Sequence, residues 1–269
     1  MTVDQVAFSP STVGSANSNE EISNAIASGQ ITWFGPLLVL TGRSVFLILA
    51  QSVVAAVFLL MGNPTPWRAA APWWSVYGNL ADLGCLALMV YFTRKEGLRL
   101  RDLVGRIRWR WGFDLFLGLA LLLVIAPCFN VVAKPVSLLA YGSPTPNLYP
   151  GIMAGRSLPL WAIVYSFSIF LMIWTPTEEM TYQGYCLPRI FALSRNRWIS
   201  ILLVSFWFAL QHSFLPLIPD WRYLLWRLLA FWPAMAAINL LYLWIRRLPP
   251  LIVAHWALDL LALWMTLKL

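Results

Sequence analysis

The chain has 269 residues, of which 60% are apolar and 11% charged, with a mean hydropathy of +0.70. That balance excludes an ordinary soluble domain and points to a polytopic membrane protein. The net charge of +8 could suit nucleic acid, but the basic residues cluster in short loops between apolar stretches. Membrane topology accounts for them there, so no nucleic-acid partner is expected.

The first 33 residues are rich in Ser, Asn and Thr, and the first 30 contain no Lys or Arg. They lack the basic start of a signal peptide and read as a flexible polar tail. Residues 34–150 read as N-terminal transmembrane helices with a basic cytoplasmic loop, and 151–269 as the functional core.

A span needs about 20 apolar residues. Seven stretches qualify: roughly Leu37–Met61, Trp74–Phe92, Phe113–Val132, Leu158–Leu187, Trp198–Leu217, Tyr223–Ile245 and Leu251–Leu267. The expected fold is therefore all-α, a transmembrane bundle of about seven spans whose last four helices form the core. The fourth stretch is long for one span and contains Pro176, which should break, kink or tilt it.

Arg94, Lys95, Arg99, Arg101, Arg106, Arg108 and Arg110 follow the second stretch. Arg189, Arg195 and Arg197 follow the fourth, and Arg246 and Arg247 the sixth. Positive loops stay inside, so these loops and the N-terminus should be cytoplasmic and the C-terminus outside. A bacterial cytoplasmic membrane is expected, where the basic loops can also meet anionic headgroups of the bilayer. Cys85, Cys128 and Cys186 show no paired or metal-ligand spacing and read as packing residues. Arg43, Asp82 and Asp114 lie toward span ends and read as interfacial or snorkelling.

Glu178, Glu179, His212, His255 and Asp259 concentrate the ionisable chemistry of the last spans, and the chain has only two histidines. Each such group costs roughly 2.5 to 3.5 kcal/mol at mid-membrane on insertion scales. Counted from the flanking arginines at 1.5 Å per residue, Glu178 lies roughly 16 Å deep, His212 roughly 22 Å, His255 roughly 12 Å and Asp259 roughly 18 Å. Similar depths on three segments allow one shared cavity. His255 and Asp259 are i and i+4, so the carboxylate can orient the imidazole. Glu178 and Glu179 diverge by about 100°, so only one is expected to face the reacting centre.

Plainer readings exist for each group. Thr175-Pro176-Thr177-Glu178 fits a capping box that begins a helix. Phe208 and His212, also i and i+4, fit simple packing with the imidazole bonded to a backbone carbonyl. His255 with Asp259 fits a polar clasp between helices.

The segment from Glu178-Glu179 through Tyr182, Gln183 and Gly184 resembles the first motif of the CPBP intramembrane proteases, which include the type II CAAX prenyl endopeptidases and Abi proteins. Phe208-Ala-Leu-Gln-His212 resembles the second motif and His255-Trp-Ala-Leu-Asp259 the third, in the family's order. The resemblance covers about residues 155 to 267. It implies a helical core in which Glu178 acts on water, surrounded by Glu179, His212, His255 and Asp259, with Tyr182, Gln183 and Phe208 in support. A membrane-associated protein or peptide is the implied substrate.

One departure stands out: Gln183 occupies the family's arginine position. Without a cation beside it, a buried carboxyl favours its neutral form. One glutamate is therefore expected to hold a proton at rest, and Gln183→Arg to remove it.

The expected reaction is peptide hydrolysis with Glu178 as general base, His212 and His255 binding the water or the oxyanion, Asp259 orienting His255 and Glu179 in support. No cofactor is favoured, since the site lacks a compact His-Glu-x-x-His arrangement. If zinc is used, Glu178, His212 and His255 are its expected ligands. The rivals are a non-catalytic immunity or scaffold protein that binds a peptide, and a proton-coupled transporter.

Overall fold

The computed structural model describes residues 17–105, 111–144, 152–153 and 157–267. Among them there are helices and no strands. Helix α1 spans Asn19–Ala27, α2 Phe34–Leu60, α3 Pro66–Ala70, α4 Trp74–Lys95, α5 Leu100–Val104 and α6 Trp111–Tyr141. The site follows on α7, Leu160–Ser194, α8, Arg197–His212, α9, Trp221–Ile245, and α10, Pro249–Leu267.

Among the described residues, seven helices correspond to the seven apolar stretches, and six are long and apolar enough to cross a membrane. The exception is α8, where a span over Trp198–Leu217 is expected. It has 16 residues, about 24 Å at the helical rise, short of the roughly 30 Å hydrocarbon core. It ends at His212, and the loop after it is fixed by side chains from other helices. Gln51 of α2 both donates to Leu217 O and accepts from Leu217 N, and Trp67 of α3 donates to the same carbonyl.

Apolar side chains of α2 and α4 through α10 meet in one continuous core, with Tyr182, Phe208, Ala234, Ile238 and Leu251 fully or almost fully buried. Many apolar residues on the other faces of the long helices are exposed, including Leu49, Leu123, Met172 and Trp244. This inside-and-outside apolarity is how a bundle solvated by lipid tails differs from a soluble one.

The tail expected to be flexible through residue 33 is ordered in its described part. Ser18 caps α1, Ile22 is buried, and Asn17 bridges Gly184 O and the Arg189 guanidinium. The same arginine pairs with Glu96. Polar composition alone hid these anchors, each of which lies more than 65 residues away in sequence. Of the loop arginines expected on the cytoplasmic side, Arg106, Arg108 and Arg110 lie outside the described residues. Asp114, expected at an interface, is buried and pairs with Arg247 at 2.7 Å.

Candidate active site within the membrane

The fourth apolar stretch is a single helix of 35 residues interrupted by two wider π-helical stretches, Ser166–Phe170 and Met180–Cys186. Pro176 sits inside it rather than ending it. Its ring supplies no N–H to the ladder, and Thr177 and Thr181 spend their hydroxyls on the carbonyls of Ile173 and Thr177. Such back-bonding loosens an α ladder, and the π stretch starts directly after Glu179. The capping-box reading of Thr175 through Glu178 is thereby corrected, since all four residues are mid-helix.

Both glutamates are fully buried, and their roles divide. Glu178 Oε1 accepts from Gln211 Nε2 at 2.6 Å and from Arg43 Nη2 at 3.3 Å. Its Oε2 has no hydrogen-bond partner of good geometry and faces His255 Nε2 at 3.2 Å. Glu179 Oε1 lies 2.9 Å from the other imidazole nitrogen, Nδ1. His255, on α10, is thus held between the adjacent carboxylates of α7.

Asp259 Oδ1 stands 3.6 Å from His255 Nε2, and its Oδ2 accepts from Thr175 Oγ1 at 2.7 Å. The orienting partner of the imidazole is therefore Glu179 at the distance of a hydrogen bond, where Asp259 was expected. Spacing of i and i+4 permits a contact; a carboxylate on another helix reaches the ring more closely.

Arg43 was expected at an interface and is completely buried. Its guanidinium donates to Gln211 Oε1 at 2.6 Å, to Asp82 Oδ1 at 2.7 Å and to Glu178, and lies 4.2 Å from the centre of the Trp174 ring. Asp82, also expected at an interface, is equally buried. Glu178 thus has a cation supplied by α2, one not expected from the position of Gln183, and the site draws on residues outside the last four helices. Sequence reasoning missed Gln211 as well, although it stands next to His212 in the second motif.

Gln183 points elsewhere. It donates to Asn239 Oδ1 at 2.8 Å, and both amides are buried. Phe208 stacks on Tyr182 with centroids 4.2 Å apart and lies 5.8 Å from the His212 ring and 5.9 Å from the His255 ring. His212 stacks on Phe231 at 4.2 Å, and its Nδ1 lies 2.8 Å from Phe208 O. A carbonyl only accepts, so Nδ1 carries a proton and a neutral ring has its lone pair on Nε2.

Glu178, His255 and Asp259 offer ligand atoms within 4.8 Å of one another. A divalent ion would find three donors here, with Glu179 behind His255 as a supporting carboxylate. His212 is outside this group, so the expected zinc set is corrected to include Asp259 in its place.

The bundle thus gathers buried carboxylates and an imidazole inside helices long and apolar enough to cross a membrane. Residues 157–261 match the family described as type II CAAX prenyl endopeptidase Rce1-like, which places this segment in the CPBP and CAAX protease family read from its three motifs. The protein is an integral membrane protein, and its residues 157–261 are similar to the intramembrane CAAX-type endopeptidases. The chain matches no curated protein and no solved structure.

Proposed function

We propose that this chain hydrolyses a peptide bond in a membrane-associated protein or peptide, at a bacterial cytoplasmic membrane, with Glu178 as general base toward water. The observation that carries the reading is the division of labour on that carboxylate: Oε1 is held by Gln211 and Arg43, and Oε2 has no hydrogen-bond partner and faces His255 Nε2. A general base needs one oxygen fixed and one free.

In this mechanism Glu178 Oε2 takes a proton from water as the water attacks the scissile carbonyl. His255 Nε2 faces the same point and donates to the developing oxyanion. Glu179 holds the other side of the ring, and the three surrounding carboxylates compensate a positive imidazolium. The proton on Glu178 then passes to the leaving amine. His212, with Nε2 as an acceptor, helps place the water, while Tyr182 and Phe208 hold the two rings apart.

A second reading rests on the three donors Glu178, His255 and Asp259. A divalent ion held there would polarise the carbonyl or activate the water.

The test compares protein termini in membrane and secreted fractions of a host carrying wild type or Glu178→Ala. Specific termini that vanish in the variant at equal abundance support hydrolysis. Identical termini in both hosts refute it and favour a peptide-binding immunity or scaffold role.

A further inference from the structure

Two consecutive carbonyls near the end of the π stretch Met180–Cys186 are taken by side chains. Asn17 Nδ2 donates to Gly184 O at 3.1 Å, and Arg189 Nη1 donates to Tyr185 O at 3.1 Å. The first of these bonds has a plain cause in the sequence. An α-type partner for Gly184 O would be the N–H of residue 188, and Pro188 has none. Asn17 supplies a donor in its place, while its own Oδ1 accepts from Arg189 Nη1 at 3.2 Å. The guanidinium is pinned in turn by Glu96, which also accepts from the Tyr185 hydroxyl at 2.7 Å. Asn17, Gly184, Tyr185 and Arg189 are all buried, where an unpaired polar group is costly.

The helix that follows Asn17 is held lightly by comparison. Ile22 is the buried side chain of α1, and a cavity of about 610 Å³ lies beside it, lined in part by Glu21, Ile31, Glu96, Leu98 and Arg189. Polar anchors, more than apolar packing, therefore fix where the N-terminal segment meets α7.

Gly184 lies five residues after Glu179, the spacing of one π turn. The anchored end of the stretch thus bears on the carboxylate that stands 2.9 Å from His255 Nδ1. If the stretch tightened to the α pattern, the helix before it would rotate about its axis relative to the helix after it. Glu179 would then turn away from the imidazole.

We propose that Asn17 is a positioning residue: by holding Gly184 O it keeps the π stretch in place and Glu179 against His255, so that the N-terminal segment belongs to the machinery of the site. The effect on His255 stands apart from the reaction, whereas its consequence for turnover rests on the hydrolytic reading of the Glu178 site.

The experiment uses the full chain in liposomes with nitrogen-15 histidine. The chain has only two histidines, and comparison with His212→Gln assigns their ring signals. Asn17→Ala should shift the His255 Nδ1 signal in the direction that Glu179→Gln does and leave His212 in place. Asn17→Asp identifies the bond responsible, because a carboxylate still accepts from Arg189 but cannot donate to Gly184 O; it should behave as Asn17→Ala. Unchanged His255 signals in either variant, or equal shifts of both histidines, overturn the proposal.

In the host, Asn17→Ala should slow release of the Glu178-dependent termini about as much as Glu179→Gln, and the double variant should fall no further than either alone. Additive losses overturn the proposal. Selective His255 shifts in a chain that releases no Glu178-dependent termini uphold the positioning role and remove the hydrolytic reading. Glu178-dependent termini released by Asn17→Ala at the parent rate remove the positioning role alone.

Discussion

Arg43 on α2 and Glu178 on α7 meet at 3.3 Å with neither side chain exposed. The pair joins a helix outside residues 157–261, the segment matched to the family, to the carboxylate on which the proposed chemistry turns. Removing one partner of a buried pair leaves the other charge uncompensated, at about 3 to 5 kcal/mol. Arg43→Met should therefore lower stability by about that amount, because Asp82 and Glu178 both lose their cation. Arg43→Lys should cost less, since a charge remains while the contact to Gln211 is lost. Thermal unfolding in detergent checks the order; equal stability of all three would show that the pair carries no weight.

Glu178 and Glu179 are adjacent, and the divided contacts predict different losses. Glu178→Gln keeps the size of the side chain but removes the base, so turnover should fall about 10² to 10⁴-fold, and stability should fall less than in Arg43→Met because Arg43 keeps Asp82. Glu179→Gln still offers a carbonyl oxygen to His255 Nδ1 and should cost about tenfold or less. Rates on one identified substrate decide. A larger loss for Glu179→Gln would exchange the two roles.

The convergence of Glu178, His255 and Asp259 was legible because depth along a helix can be counted from its basic boundary residue. What the count does not give is direction around each helix. The π stretch after Glu179 changes that direction, and no apolar periodicity announces it. Arg43 illustrates a second limit: an arginine in a 27-residue apolar helix reads as snorkelling unless its partners are known, and those partners lie 39, 135 and 168 positions away. Gln211 could have been singled out, since an amide beside a candidate catalytic histidine inside a span is itself costly to leave unpaired.

Gln183 now predicts the opposite of a simple return to the family pattern. Its amide pairs with Asn239, and Glu178 already has its cation. Gln183→Arg would thus place a charge against a neutral amide in a buried setting and should destabilise the chain by a few kcal/mol without raising activity. Gln183→Leu alone should strand Asn239 at about 1 to 3 kcal/mol, and adding Asn239→Leu should recover most of that loss. Unfolding midpoints of the four proteins test this coupling directly.

Metal dependence separates the two chemical readings through different residues. Hydrolysis by Glu178 and water should survive dialysis against a strong chelator, with no stoichiometric zinc in the purified chain. A bound ion would instead be held by Glu178, His255 and Asp259, so His255→Ala and Asp259→Ala should lose it while His212→Ala retains it. His212 is outside that group, with its Nδ1 engaged by Phe208 O and its ring stacked on Phe231. Elemental analysis of these variants alongside activity therefore discriminates without relying on activity alone. Zinc that persists in His255→Ala but disappears in His212→Ala would contradict the geometry described here.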